Sequence, residues 1–321
     1  MNSLPVLGPP QPDDAPRLSP DPRQLVAAFL SGRNARTIKA YAQDLADFQA
    51  FVRAATVEEA ARGLLSGGHG AANLLALSYK THLVERGLQA ATINRRLAAL
   101  RSLTHLARTF GIVPWKLEVQ NVRAEAYRDT RGPGRQGFRC LLMEVERRNT
   151  KKSSRDKAIL RLLYDLALRC GEVVLLDRED VDLSTSTLAV RGKGRTSKQL
   201  LTIPEPTKAA LNDWLDARGT EPGPLFTNFN RAGKGHRLTG TSIYRMVRDL
   251  GRRNGFQVRP HGLRHTAITE ACKSAQANGI GLEEVLDFSR HSRKSLSILM
   301  VYRDRERNVQ GQLAALVADA A

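Results

Sequence analysis

The stretch Thr187-Leu188-Ala189-Val190-Arg191-Gly192-Lys193-Gly194-Arg195-Thr196-Ser197-Lys198-Gln199-Leu200-Leu201-Thr202-Ile203 interrupts the rhythm of the chain around it. On either side apolar residues recur at three and four residue steps, the period of a helix. Here they crowd into residues 187–191 and 200–203, with a basic, glycine-containing connection at residues 192–199. Two short strands closed by a turn are the expectation. They are set among helices expected over residues 138–148, 154–170, 207–218, 241–254, 265–278, 282–288 and 295–303. The fold class is therefore mainly α with a small antiparallel sheet, a helix-rich α+β domain over residues 138–321.

Before this domain lies a run containing Arg128, Asp129, Arg131, Gly132, Pro133, Gly134 and Arg135, whose polar, glycine- and proline-rich character marks a linker over residues 124–137. Residues 21–123 carry only helical signals and form a first domain. Thr37 is placed to cap a helix whose apolar stripe is Ile38, Tyr41, Leu45, Phe48 and Val52. A second helix over residues 74–85 stops at Gly87. A third opens at Thr92 with Ile93, Leu97, Leu100, Leu103 and Leu106 on one side and Arg95, Arg96 and Arg101 on the other. Residues 1–20 hold Pro5, Pro9, Pro10, Pro12, Pro16 and Pro20, a composition that sustains neither a helix nor a core and reads as a disordered arm. No internal repeat is evident.

The chain has 321 residues, about twice a usual single domain, which suits two cores. Fifty Lys and Arg stand against 32 Asp and Glu, a formal net charge of +18 that draws the protein to polyanions, nucleic acid ahead of an anionic membrane. No apolar run approaches the roughly 18 residues of a membrane span, and the beginning is proline-rich and acidic rather than basic then apolar. Cys140, Cys170 and Cys272 are widely spaced, with no C-x-x-C pair, so neither a disulfide framework nor a zinc site is indicated. A cytoplasmic location fits these features.

Taken in order, the second domain offers Ala167-Leu168-Arg169-Cys170-Gly171-Glu172, Gly192-Lys193-Gly194, His261-Gly262-Leu263-Arg264-His265, His291 and finally Tyr302. Each piece alone occurs by chance in basic proteins; the ordered set is far harder to obtain by accident. This order resembles the tyrosine recombinase (phage integrase) family, whose site runs Arg, Asp or Glu, Lys, His-x-x-Arg, His or Trp, and Tyr. The resemblance covers residues 138–305, and the helical first half resembles the same family's SAM-like core-binding domain. It implies a site-specific recombinase that cleaves and rejoins DNA through a 3′-phosphotyrosine on Tyr302.

The chemistry explains these residue types. Transfer of a phosphodiester to a protein nucleophile concentrates charge on the non-bridging oxygens, and fixed cations aimed there favour the transition state. Arg169 and Arg264 suit this because a planar guanidinium stays protonated and grips phosphate oxygens in pairs. A tyrosine begins with a pKa near 10 and must lose its proton during attack, for which His261 is the first choice of base, with His291 as phosphate donor or helper. Lys193 resembles the family's general acid, protonating the departing 5′ oxygen. Glu172, three residues after Arg169, is expected on the same helical face, orienting the arginine or a histidine. The phosphotyrosine keeps the energy of the broken bond, so rejoining needs no cofactor, neither ATP nor metal. No Walker-type loop or paired acidic cluster is present.

Several positions have rivals. Tyr302 lies in the apolar run Ile298-Leu299-Met300-Val301-Tyr302, where a tyrosine by itself reads as core. Arg169 with Glu172 could be an ion pair on a solvated face. Lys198 and Arg195 compete with Lys193 on a hairpin whose basic residues, Arg195 among them, would touch phosphates. Tyr302 lies eleven residues after His291, whereas the family's gap is nearer nine, which would put Arg293 at the histidine position. His261 and His265 are spaced as a metal pair, but Arg264 intervenes and no third ligand is near, leaving His265 as a structural residue at a helix start. Arg95, Arg96 and Arg101 read either as a solvated face or as contacts to DNA phosphates.

The partners implied are double-stranded DNA and, as in the family, a homo-tetramer gripping two sites, each chain clamping duplex DNA with its two domains. No membrane and no small-molecule substrate is called for. The tail, with Leu313, Ala314, Leu316 and Val317 at helical spacing, suits packing on a neighbouring protomer. Two other readings share part of this logic: a type IB topoisomerase or telomere resolvase, and an inactive DNA-binding protein of the same fold.

Overall fold

The structure is a computed structural model, and it describes residues 22–31, 35–123, 132–192, 197–229, 233–290 and 318. The chain divides into two compact units, Met1–Tyr127 and Arg128–Ala321. The described part of the first contains α1 (Pro22–Leu30), α2 (Ala35–Val52), α3 (Val57–Ser66), α4 (Gly68–Glu85) and α5 (Ala90–Thr109). The apolar stripes read from the sequence face the core: Leu45 and Phe48 of α2 are buried with Ile93, Leu97, Leu100 and Leu103 of α5. Tyr79 of α4 packs its ring edge-on to Phe48, centroids 5.1 Å apart, and its hydroxyl donates to Asp47 at 2.7 Å. α4 ends as expected, Gly87 following it at φ +67, a conformation that glycine adopts without steric cost.

Helix boundaries differ from expectation where local signals were read too narrowly. α2 begins at Ala35, so Thr37 is inside the helix rather than its cap, and α4 begins at Gly68 rather than near residue 74. α1 and α3 were not anticipated. α3 nevertheless carries a legible start, since the Thr56 hydroxyl accepts the Glu59 N–H at 3.1 Å.

The arginine face of α5 is not a free solvated surface. Arg95 Nη1 donates to Asp44 at 2.6 Å and to the Ala40 carbonyl at 3.2 Å, and Arg96 Nη1 donates to Asp47 at 2.9 Å. Arg101 donates to the Val119 carbonyl and to Asn121, both at 2.8 Å. Asp44 is 2% exposed and needs such partners, because an unpaired buried carboxylate is costly. These arginines tie α2 and the segment after α5 to α5. That corrects the picture of three cations standing free toward solvent.

In the second unit the order is α6 (Gly134–Glu146), α7 (Lys151–Tyr164), α8 (Cys170–Val174), β1 (Val181–Asp182), β2 (Thr187–Arg191), β3 (Lys198–Thr202), α9 (Glu205–Arg218), α10 (Gly240–Arg253), α11 (Pro260–Ala277) and α12 (Leu282–Ser289). α6 starts inside the stretch read as linker, at Gly134, whose φ of +69 glycine adopts without steric cost. The sheet is antiparallel in the order β1-β2-β3, with Leu188 opposite Leu201 and Arg191 opposite Lys198. Leu188 and Val190 point into the core and their neighbours outward, the period of two expected for a half-buried strand. The main core gathers α6, α7, the sheet, α9 and α10 around the buried Trp214, whose Nε1 donates to the Leu225 carbonyl at 2.9 Å. A smaller cluster of Ala167, Ile268, Cys272, Val285 and Leu286 fastens the end of the α7–α8 turn to α11 and α12, and this cluster sets the site.

No helix among the described residues is long and apolar enough to cross a membrane, and Cys140, Cys170 and Cys272 are free thiols. The arm at residues 1–20, the expected helix at 295–303 and the apolar tail residues 313–317 lie outside the described residues.

Candidate active site

α7 stops at Tyr164 rather than continuing to residue 170. The Leu168 N–H reaches back to the Leu162 carbonyl at 3.1 Å, and Ala167 turns the chain at φ +45. Arg169 is consequently extended, at φ −73 and ψ 146, immediately ahead of α8. It does not share a helical face with Glu172, as the spacing had suggested. Glu172 instead folds back from the first turn: its Oε2 accepts the Arg169 backbone N–H and its Oε1 accepts Arg169 Nη1, each at 2.8 Å. A carboxylate in this position satisfies a donor left over at a helix start. Glu172 is 3% exposed, whereas the Arg169 side chain keeps 32% exposure. The arginine is anchored through Nη1 to Glu172 and, more loosely, through Nη2 to the Arg290 backbone carbonyl at 3.4 Å, and part of its side chain remains exposed.

α11 brings the second pair. Arg259 is extended and Pro260 opens the helix, so His261 falls in its first turn and Arg264 one turn on. His265, expected at a helix start, is well inside it. His261 lies at the surface, whereas Arg264, one turn on, is 2% exposed. The Arg264 guanidinium donates to the backbone carbonyls of Ala167 and Ser289. It is turned inward, not presented as an open clamp. Desolvation, then the charges of Arg264 and Arg169, hold the His261 pKa below the ordinary imidazole value. These four residues, from two distant segments, thus share one site.

A fifth member escaped the sequence reading. Arg290 follows α12 in the left-handed region at φ 52, and its buried side chain donates to the Leu166 carbonyl at 3.0 Å, the Ala167 carbonyl at 2.9 Å and Glu172 Oε2 at 3.1 Å. Burial would raise the Glu172 carboxyl, but Arg290 and Arg169 override it and keep the group below the usual range. The signal available was slight: one more cation, next to His291.

Lys193, Arg195, His291, Arg293 and Tyr302 lie outside the described residues. Lys198, a rival of Lys193, is in β3 with its ammonium on the buried Asp180 carboxylate. No cluster of three or more His, Cys, Asp or Glu suited to a metal ion occurs among the described residues.

The imidazole of His261, with its pKa lowered, can accept a proton, and the anchored and the buried guanidinium near it supply positive charge for a bound anion. A model of the phage integrase family matches residues 140–308, spanning all of these groups, and a model of the phage integrase N-terminal SAM-like domain matches residues 27–109. The chain belongs to the phage integrase family. A tyrosine recombinase of Synechocystis is 37% identical to it over 89% of this chain and 92% of its own length. XerC of Chromobacterium violaceum is 30% identical over 77% of this chain and 78% of its own. The fold is that of a solved XerH site-specific recombinase bound to its palindromic difH substrate in a post-cleavage complex, with TM-score 0.65 and 18% identity over 92% of this chain and 85% of that one. The protein is a tyrosine-type site-specific recombinase, an enzyme of DNA recombination.

Proposed function

We propose that the enzyme cuts one strand of a DNA duplex by in-line attack of the Tyr302 phenol on a phosphodiester. His261 takes the phenolic proton, the phenol oxygen bonds to phosphorus, and the 5′ oxygen leaves with a proton from Lys193. Arg169 and Arg264 hold the non-bridging oxygens, Arg264 by giving up one of its carbonyl partners, and His291 or Arg293 supplies a further donor. The 3′-phosphotyrosine is then attacked by a 5′ hydroxyl of another duplex, which restores the tyrosine without ATP or metal. Residues 21–123 form the DNA-gripping domain and residues 138–321 the catalytic one, whose tail joins four protomers on two sites in the cytoplasm. Arg195 contacts DNA phosphates, and so do the outer edges of Arg95 and Arg101; Arg96, with a side chain 15% exposed between Asp44 and Asp47, serves mainly to hold its domain together.

The observation that supports this reading best is the convergence of Arg169, Glu172, His261 and Arg264. Binding sites selected from a random duplex pool, placed on two differently labelled duplexes, provide the test. Recombinant products are expected; relaxation of supercoiled DNA without exchange would point to a topoisomerase, and binding without cleavage to an inactive relative.

The lowered His261 pKa sets a pH signature. An imidazole serves as base only while unprotonated, so cleavage persists as pH falls through about 6.5 and declines only below it. Single-turnover cleavage against pH should give an acid limb with its midpoint under that value, and His261→Gln should remove the limb. An acid limb that survives unchanged in His261→Gln would exclude His261 as the base.

A further inference from the structure

We infer that Arg290 is a positioning residue for Arg169, an inference that rests on the phosphoryl-transfer reading above. Its backbone is left-handed, a conformation in which glycine is at ease and a long side chain is not. The compensation lies in the side chain. Arg290 holds Leu166 and Ala167 by their carbonyls on one side of Arg169 and Glu172 by its carboxylate on the other. Ala167 is itself left-handed at φ +45, and its carbonyl also receives Arg264, so two guanidinium groups stabilise one unfavourable turn. Glu172 Oε2 is shared between Arg290 and the Arg169 backbone N–H, leaving Oε1 to fix Arg169 Nη1.

The Arg169 guanidinium is thereby set from both ends by a residue that need not meet the DNA. Its side chain is 7% exposed, against 32% for Arg169. Against the burial that would raise it, the charge of Arg290 helps to hold the Glu172 carboxyl below the usual range, which strengthens its contact to Arg169. A displacement of about 1 Å in such a group is worth about 10²-fold in rate.

The test is single-turnover cleavage on saturating nicked duplexes that carry the selected binding site, so that only folded, bound enzyme is read. Arg290→Gly, which relaxes the backbone while removing the side chain, should slow cleavage by about 10²-fold, and added guanidinium ion should restore part of the rate. Arg290→Lys should be intermediate. In a Glu172→Gln background Arg290→Gly should add little, because both changes release the same arginine. Wild-type rates in Arg290→Gly, or losses that simply multiply in the double variant, would overturn the inference. Should the wild-type enzyme form no covalent adduct on these duplexes, the catalytic reading would fall first and this one with it.

Discussion

Arg169→Lys is expected to lower single-turnover strand cleavage by about 10²- to 10³-fold while leaving the fold and duplex affinity nearly unchanged. The side chain keeps 32% exposure and its anchoring contact to Glu172 is one that an ammonium can partly replace, so little structure depends on the guanidinium itself. Catalysis does. A lysine offers a point charge where two non-bridging oxygens require a planar fork, and the deficit appears where charge accumulates, in the transition state. Cleavage under saturating enzyme, with affinity measured in parallel by titration, separates the two quantities. Equal losses in both would mean that Arg169 only binds DNA.

Arg264→Lys should behave differently, because Arg264 is 2% exposed and spans two carbonyls, those of Ala167 and Ser289. A lysine lacks the planar fork that spans them; the Ala167 carbonyl keeps its bond from Arg290, but the tie to Ser289 is weakened, and a buried polar group whose partner is lost costs desolvation energy. The second unit is expected to lose about 3 kcal/mol of stability, together with its cleavage activity. Urea unfolding followed by far-ultraviolet circular dichroism reads the first effect. A variant as stable as the parent would show that the guanidinium does not hold the turn at Ala167 to the end of α12.

The contrast between these arginines marks the boundary of what the sequence made legible. The order of residues, through its resemblance to the phage integrase family, pointed to Arg169, Glu172, His261 and Arg264, and the fold brings these four together. Alternation in Thr187–Arg191 disclosed the strand pair, and the stripes of α2 and α5 disclosed the first core. Pairings between distant segments were hidden. Nothing in α5 alone announces that Arg95 and Arg96 answer to Asp44 and Asp47 of α2, nor does Ser289-Arg290-His291 announce a contact to Glu172, 118 residues away. Backbone sign is equally silent: Ala167 and Arg290 are left-handed without being glycine, and only packing makes such conformations tolerable. Glu172 lay within reach of Arg169 for a reason other than helical spacing, since Arg169 stands before the helix and the carboxylate folds back to it.

Tyr302 is the proposed nucleophile, and its covalent capture is the most direct test. Nicked duplexes carrying the selected binding site, in which the cut releases a short fragment and blocks rejoining, should trap the enzyme as a covalent complex, and nuclease and protease digestion followed by mass spectrometry should find the residual nucleotide on the Tyr302 phenol. Tyr302→Phe should bind the same duplex and form no complex. A nucleotide attached to any other residue, or an adduct that survives in Tyr302→Phe, would contradict the account.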